Sequence, residues 1–190
     1  MGQIILVTGG VRSGKSSFAE RCAARCAAES GTAVAYIATA QIYDAEMQLR
    51  VDLHQSRRPA DWTTYEAPFS SENAIREAGA THGVILFDCV TMFLSNDMLQ
   101  YSEEEQERDS FARHVEARIN ALIRAAEEAD ATTIFVTNEV GDGIVPANRL
   151  GRLYRDMAGL ANQQLARRAA KVYLVTCGIP VDLKKLAEAV

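Results

Sequence analysis

Short, continuous apolar runs alternate along the chain with longer stretches in which apolar residues recur every three or four positions. A continuous run predicts a strand buried on both faces, whereas the longer spacing predicts a helix with one buried face. The predicted strands are residues 4–7, 34–38, 84–88, 134–137 and, last, 171–176. Because strands alternate with helices, the pattern favours an α/β fold with a largely parallel sheet flanked by helices.

The predicted helices lie between these strands. The first spans residues 16–29 and ends at Ser30-Gly31, a typical C-terminal signal. Ser102 and Glu105 form a capping box that opens a long helix. Further helices are expected at residues 44–54, capped by Asp44, at 71–78 and at 149–168, with loops at 39–43 and 55–68. Since the chain shows no repeats and no interior linker, we expect residues 1–190 to form a single domain.

Composition narrows the functional classes. The 190 residues are 48% hydrophobic and carry a formal net charge of −5, which argues against broad binding of nucleic acid or of anionic membranes. No apolar run approaches the length of a membrane span, and the N-terminus has no signal-peptide layout. The four cysteines lack metal-ligand spacing and are expected to be buried free thiols. We therefore expect a reduced, cytoplasmic protein.

The first candidate site is the sequence G-x-x-x-x-G-K-S, placed between the first strand and the first helix. Glycines at its ends allow a tight turn whose N–H groups approach phosphate oxygens, and the helix N-terminus adds positive potential. Lys15 is expected to reach the β- and γ-phosphates, and the Ser16 hydroxyl to bind Mg²⁺. The loop comprises Gly9, Gly10, Val11, Arg12, Ser13, Gly14, Lys15 and Ser16. The chain is therefore predicted to bind a nucleoside triphosphate.

Two acidic residues follow predicted strands. Asp88 ends the run at 84–87, as a Walker B acid does, and could hold Mg²⁺ near Ser16, because ligands of open α/β sheets lie at the carboxyl ends of the strands. A capping or turn aspartate is the alternative. Glu139 lies at the same level of the sheet and could orient a nucleophile or the metal, or bond only to nearby backbone.

A histidine in a basic segment is the third candidate. On a helix, His54 shares a face with Met47 and Val51, and arginines flank it at positions 50, 57 and 58. Nearby positive charge favours a neutral imidazole, which is a poor general base but a competent nucleophile toward phosphorus. A packed core histidine is the alternative. The two other histidines, and the acidic run at 103–105, are expected to be structural or solvent-facing.

Several motifs together resemble those of one family. They are Thr-Gly-Gly-x-Arg-Ser-Gly-Lys-Ser at 8–16, Tyr-Ile-Ala-Thr-Ala at 36–40, His54, Arg58-Pro59, Glu66 and Val-Thr-Asn-Glu-Val-Gly-x-Gly-Ile-Val-Pro at 136–146. The chain resembles the bifunctional adenosylcobinamide kinase/adenosylcobinamide-phosphate guanylyltransferases of cobalamin biosynthesis over nearly its whole length. It differs from some members in having Leu53 before the histidine and Asp88 in place of a glutamate.

The resemblance implies a RecA-like P-loop domain that assembles as a homotrimer. It implies phosphorylation of adenosylcobinamide with ATP or GTP, followed by transfer of GMP from GTP through guanylylated His54. Glu66 or Asp88 could accept the two adjacent guanine donors and so reject adenine. Besides the phosphate loop, the implied nucleotide contacts are Ala38, Thr39, Ala40, Gln55, Ser56, Arg57, Arg58, Glu66 and Asp88, with Mg²⁺ at Ser16 and Asp88.

Three other functions are weighed against this one. A regulatory GTPase needs an early D-x-x-G and a late N-K-x-D, but the chain has D-x-x-G only at 156–159 and no N-K-x-D. A P-loop kinase of another small molecule would not need His54 or the basic pair at 57–58. A RecA-like ATPase acting on nucleic acid is disfavoured by the acidic charge. The base of the kinase step, Asp88, Glu139 or neither, is left open.

Overall fold

A computed structural model describes residues 2–42, 48–49, 58–106 and 109–188. Within them, one sheet has the strand order β3-β2-β4-β5-β1-β6-β7. All neighbouring strands are parallel except β6 and β7. The strands are β1 (Gln3–Thr8), β2 (Val34–Ala38), β3 (Thr63–Glu66), β4 (Val84–Asp88), β5 (Thr132–Val136), β6 (Lys171–Thr176) and β7 (Ile179–Asp182). The prediction of a largely parallel sheet flanked by helices is confirmed.

The helices cover both faces of the sheet. They are α1 (Lys15–Ser30), α2 (Ser71–Gly79), α3 (Val90–Met98), α4 (Glu103–Gln106), α5 (Asp109–Glu128), α6 (Arg149–Arg168) and α7 (Leu183–Leu186). Alternate residues of β1 show the two-sided burial: Ile4 and Leu6 pack with α2, α3, α5 and α6, whereas Ile5 and Val7 pack with α1. This is why the central strands read as continuous apolar runs.

Several helix boundaries match their sequence signals. Helix α6 has the predicted bounds, and α1 ends at Gly31, whose φ of 67° is left-handed and whose N–H donates to the Ala27 carbonyl. The capping box is formed: the Ser102 N–H donates to Glu105 Oε2 at 2.9 Å, and the Glu105 N–H donates to Ser102 Oγ at 3.3 Å. It opens the short helix α4, and the long helix of this region is α5, which begins at Asp109.

Two strands were not predicted. The expected loop at 55–68 contains β3, and β7 follows the strand expected to be last. Among the described strands, both lie at an edge of the sheet with one strand neighbour each, and three of the four residues in each are exposed. An edge strand needs no continuous apolar run, because its side chains are largely solvated. Of the predicted helix at 44–54, Gln48 and Leu49 are described and helical, and the rest lies outside the described residues.

The cysteines fulfil their prediction in part. All four are free thiols, and Cys22 and Cys89 are buried, but Cys26 is half-buried and Cys177 is exposed. Cys177 lies in the tight turn between β6 and β7 with a φ of 53°. The expectation that every cysteine is buried was therefore wrong, because this turn was read as the end of a strand.

Candidate nucleotide-binding site

The sheet register brings distant candidate residues to one edge. Ala38 pairs with Glu66 on one side and with Asp88 on the other, and Asp88 pairs with Val136. Val136 in turn pairs with Val7, just before the phosphate loop. Since the carboxyl ends of parallel strands form the usual ligand edge of such sheets, these residues share one level of that edge.

The phosphate loop has the backbone its glycines require. Gly14 is the N-cap of α1 with a φ of 92°, a backbone conformation that residues other than glycine rarely adopt. A Cβ on Gly9 would lie 2.4 Å from the Val175 carbonyl oxygen, too close for any side chain. Both terminal glycines are therefore needed for the close path of the loop.

Neighbouring segments hold the loop from both sides. The Gly178 N–H donates to the Ser13 carbonyl at 2.8 Å, and the Glu139 N–H donates to the Gly9 carbonyl at 3.1 Å. The Ser13 hydroxyl oxygen is buried and has no hydrogen-bond partner within the part of the chain that the structure describes. A buried orphan hydroxyl inside a loop of this shape is a donor that a phosphate oxygen would satisfy.

Lys15 lies inside the loop with 8% of its surface exposed. Its Nζ donates to the Gly10 carbonyl oxygen at 3.1 Å, across the loop. Burial lowers the pKa of Lys15, while Cys89 and Asp88 oppose that shift. The ammonium group is thus enclosed by the loop, at the position where it would contact β- and γ-phosphates. The Asp88 charge at the end of β4 favours its protonated form.

Asp88 is half-buried at the end of β4 and accepts a hydrogen bond at Oδ2 from the Tyr36 hydroxyl, 3.0 Å away. No other side-chain bond to this carboxylate occurs within the described part of the chain, so acceptor capacity is left for a ligand. A hydroxyl from Ser16 and a carboxylate oxygen from Asp88 are hard donors of the kind Mg²⁺ uses alongside phosphates and water. The donor set therefore fits Mg²⁺.

Arg58 lies against the same tyrosine. Its guanidinium carbon is 3.5 Å from the centre of the Tyr36 ring, and its Nη1 donates to Thr64 Oγ1 on β3 at 3.3 Å. Burial, and then the Asp88 charge, raise the pKa of Tyr36, so its hydroxyl stays protonated. Sequence reasoning did not single out Tyr36; a phenol within a fully buried strand was the available signal.

The segment after β2 is tied to the end of β4. Thr39 Oγ1 accepts from the Cys89 N–H at 2.7 Å and donates to the Cys89 carbonyl at 2.8 Å. The Thr39 carbonyl accepts from Asn96 Nδ2 at 2.7 Å. Burial raises the pKa of the Cys89 thiol to about 11. Thr39 is thereby engaged in structure through both its hydroxyl and its carbonyl, while Ala40 continues along the edge.

The remaining candidates differ in placement. Glu66 is exposed at the end of β3. Glu139 accepts from the Gly141 N–H at 2.7 Å through Oε1, so its carboxylate bonds to its own loop. His54, Gln55, Ser56 and Arg57 lie outside the described residues.

The other two histidines have structural partners. His82 Nε2 lies 2.9 Å from Thr63 Oγ1, and His114 Nε2 lies 2.8 Å from Asp97 Oδ2. Residues 103–105 are exposed. Among the described residues, no three His, Cys, Asp or Glu side chains form a metal-binding group, and no helix could span a membrane.

Comparison with known proteins shows the family to which the chain belongs. Residues 5–183 match the family model CobU, cobinamide kinase / cobinamide phosphate guanyltransferase. Over 185 residues the chain is 40% identical to the bifunctional adenosylcobalamin biosynthesis protein CobU of Escherichia coli K12, covering 95% of this chain and 99% of that protein. It is 42% identical over 185 residues, with the same coverage, to the Salmonella typhimurium protein of that name. A third relative, CobP of Pseudomonas aeruginosa, is 40% identical over 179 residues, 94% of this chain and 96% of that protein.

Solved structures resemble the chain more remotely. The KaiC-like protein PH0186 of Pyrococcus horikoshii has a TM-score of 0.47 at 16% identity, covering 91% of this chain and 70% of that one. The flagellar accessory protein FlaH of Methanocaldococcus jannaschii has a TM-score of 0.48 at 15% identity, with the same coverage.

Proposed function

Because the chain belongs to the cobinamide kinase / cobinamide phosphate guanyltransferase family, it is a bifunctional transferase of adenosylcobalamin biosynthesis, and we propose that both reactions use the nucleotide site at the carboxyl edge of the sheet. The observation that carries this proposal is the phosphate loop closed around Lys15, with Asp88 at the same edge of the sheet. This arrangement binds a triphosphate and a divalent cation, which both reactions need.

In the first reaction, the aminopropanol hydroxyl of adenosylcobinamide attacks the γ-phosphorus of ATP or GTP. A new O–P bond forms, the bond to the β–γ bridging oxygen breaks, and the nucleoside diphosphate leaves while the hydroxyl proton is released. Lys15 and the N–H groups of the loop stabilise charge on the transferring phosphoryl group. Ser16 and Asp88 would hold Mg²⁺, which would supply positive charge beside the β- and γ-phosphates.

In the second reaction, we propose that a nitrogen of His54 attacks the α-phosphorus of GTP and pyrophosphate leaves. A phosphate oxygen of adenosylcobinamide phosphate then attacks the same phosphorus, the P–N bond breaks, and adenosylcobinamide-GDP forms. Covalent transfer divides one displacement into two in-line steps, each with a good leaving group. Support for His54 comes from the family and from its arginine-rich surroundings in the sequence.

Specificity for guanine is proposed to come from Glu66. A carboxylate accepts both guanine N1–H and the N2 amino group, whereas adenine offers an acceptor at N1. The exposed position of Glu66, at the same sheet level as Asp88, supports this role. Ala38, Thr39, Ala40 and Arg58 are proposed to line the same nucleotide site, with Gln55, Ser56 and Arg57 joining them from the His54 segment.

The test measures which phosphate of GTP becomes covalently bound to the protein. Wild-type protein is incubated with α-labelled or γ-labelled GTP and then denatured. We expect covalent label from α-labelled GTP alone, with the acid lability and alkali stability of a P–N bond. His54→Ala is expected to lose this label and guanylyl transfer, while phosphorylation of adenosylcobinamide survives at least in part.

His82→Ala is the matched control, because His82 forms hydrogen bonds with Thr63 and Thr81. This variant is expected to keep the label. An unlabelled wild-type protein, or label that persists in His54→Ala, would overturn the histidine mechanism. Phosphorylation of a different alcohol, without GMP labelling, would instead support a P-loop kinase of another small molecule.

A further inference from the structure

Tyr36 makes two unlike contacts with residues distant in the sequence. Its hydroxyl donates to Asp88 Oδ2 at 3.0 Å, and the face of its ring carries the Arg58 guanidinium at 3.5 Å. Only 3% of the residue is exposed. Asp88 is the proposed metal ligand, and Arg58 lies four residues after the proposed nucleophile His54 in the sequence. One side chain therefore connects parts of both proposed reactions.

The sheet geometry explains the contact with Asp88. Tyr36 pairs with Leu86, and Asp88 follows Leu86 by two residues on the same face of β4. The Tyr36 side chain leans toward the carboxyl end of the sheet, so that its hydroxyl reaches the next residue on that face. A buried phenol needs a hydrogen-bond partner, and a charged acceptor gives a stronger bond than a neutral one. The bond holds one oxygen of Asp88.

The ring face explains the position of Arg58. A guanidinium against an aromatic face is attracted by the ring quadrupole, and more strongly where water is excluded. Arg58 Nη1 donates to Thr64, whereas Nε is buried and has no hydrogen-bond partner among the described residues. Because hydrogen bonds leave part of the guanidinium unsatisfied, stacking on Tyr36 is a principal contact of this side chain.

We propose, on the premise of the two reactions above, that Tyr36 is a positioning residue: its hydroxyl positions Asp88 for the magnesium nucleotide, and its ring positions Arg58 for guanylyl transfer. The two parts are separable. Tyr36→Phe removes the hydroxyl and keeps the ring, whereas Tyr36→Leu removes both.

The hydroxyl part is tested by calorimetry with a non-hydrolysable GTP analogue, with and without Mg²⁺. Mg²⁺ raises the affinity for the analogue by some factor in the wild type, and we expect this factor to be about tenfold smaller in Tyr36→Phe. A hydrogen bond to a charged group contributes about this much. Affinity without Mg²⁺ should stay at the wild-type value. In an Asp88→Ala background the Tyr36→Phe change should have no further effect, because the hydroxyl acts through Asp88.

The ring part is tested by the rate of covalent labelling from α-labelled GTP. We expect Tyr36→Leu to label about tenfold more slowly than Tyr36→Phe, the loss expected for a desolvated cation–π contact. This difference should vanish in an Arg58→Ala background. Tyr173→Phe is the matched control, because Tyr173 packs against Phe18 on the same sheet face, with ring centres 5.0 Å apart, and is expected to behave as wild type.

Each part of the proposal can be overturned by a specific result. Wild-type magnesium dependence in Tyr36→Phe, or losses that add to those of Asp88→Ala, would overturn the hydroxyl part. Equal labelling by the phenylalanine and leucine variants would overturn the ring part, and losses matched by a fall in melting temperature would assign Tyr36 to stability alone. If wild type transfers neither phosphoryl nor GMP groups, the proposed function fails, while calorimetry still tests the bond to Asp88.

Discussion

Lys15 is buried in a loop that a nucleotide would fill, so its substitution should affect nucleotide binding directly. The Nζ bond to Gly10 shows that the ammonium group already lies across the loop. We expect Lys15→Ala to weaken GTP binding at least about a hundredfold and to abolish both reactions, because preorganised charge at a transferring phosphoryl group contributes on this scale. Calorimetry measures the affinity, and Lys171→Ala, an exposed lysine at the start of β6, is the control. Wild-type turnover by Lys15→Ala would contradict the phosphate-loop assignment.

The cysteines should differ sharply in reactivity. A thiolate is the reacting form; burial raises the pKa of Cys89 to about 11 and also raises that of Cys22. At pH 8 both remain protonated and inaccessible, whereas Cys177 is exposed in its turn. With a chromogenic disulfide reagent we expect Cys177 to give the fastest phase, and Cys177→Ser to abolish it. A fast phase that survives this substitution would contradict the assignment.

At the scale of elements, Arg118 joins three helices through its side chain. From α5, its Nε donates to Asp97 Oδ1 of α3 at 3.1 Å, and its Nη1 donates to Glu72 Oε1 of α2 at 2.8 Å. Its Nη2 donates to the Phe69 carbonyl, and the guanidinium lies over Phe93. The Asp97 side chain is only 8% exposed, so losing Arg118 leaves a buried carboxylate whose remaining side-chain partner among the described residues is His114, at 2.8 Å.

We therefore expect Arg118→Ala to lower the free energy of unfolding by about 3 kcal/mol, the usual cost of breaking a buried pair. Urea denaturation measures it. Arg168→Ala is the control, because its 3.5 Å pair with Glu127 has an arginine side chain that is 63% exposed, and exposed pairs contribute less than about 1 kcal/mol. Equal losses in the two variants would contradict the distinction.

Elements also differ in how far the sequence predicted them. The bounds of α6 follow from apolar residues that recur every three or four positions over 149–168, and the end of α1 follows from Gly31. The edge strands β3 and β7 could not be read in this way, because half-solvated side chains carry little apolar pattern. Their existence depends on pairing with β2 and β6, which are distant or antiparallel partners.

At the scale of the whole molecule, we propose that an exposed apolar edge takes part in self-association. Ile179 and Val181 of β7 are 65% and 37% exposed, and Leu186 of α7 is 70% exposed. Together with the family resemblance, this supports our proposal that the protein is a homotrimer.

Light scattering coupled to size exclusion should then give a particle mass of three times 20.8 kDa. Ile179→Lys is expected to reduce the mass if β7 lies in the interface, since burying a lysine charge there is costly. Ile144→Lys, at another exposed apolar residue, is the control. A particle of 20.8 kDa for the wild type would contradict the trimer.

The sequence by itself determined the local features. The phosphate loop, the capping box and the central strands depend on residues close together in the chain, so spacing and side-chain type were enough to predict them, and the level of Asp88 followed from its place at the end of a strand. Tertiary structure alone decided that Tyr36 holds Asp88 across 52 positions, that Arg58 stacks on the same ring, and that Arg118 bridges three helices. These contacts depend on strand order, and strand order is set by which buried faces pack together, which no local pattern encodes.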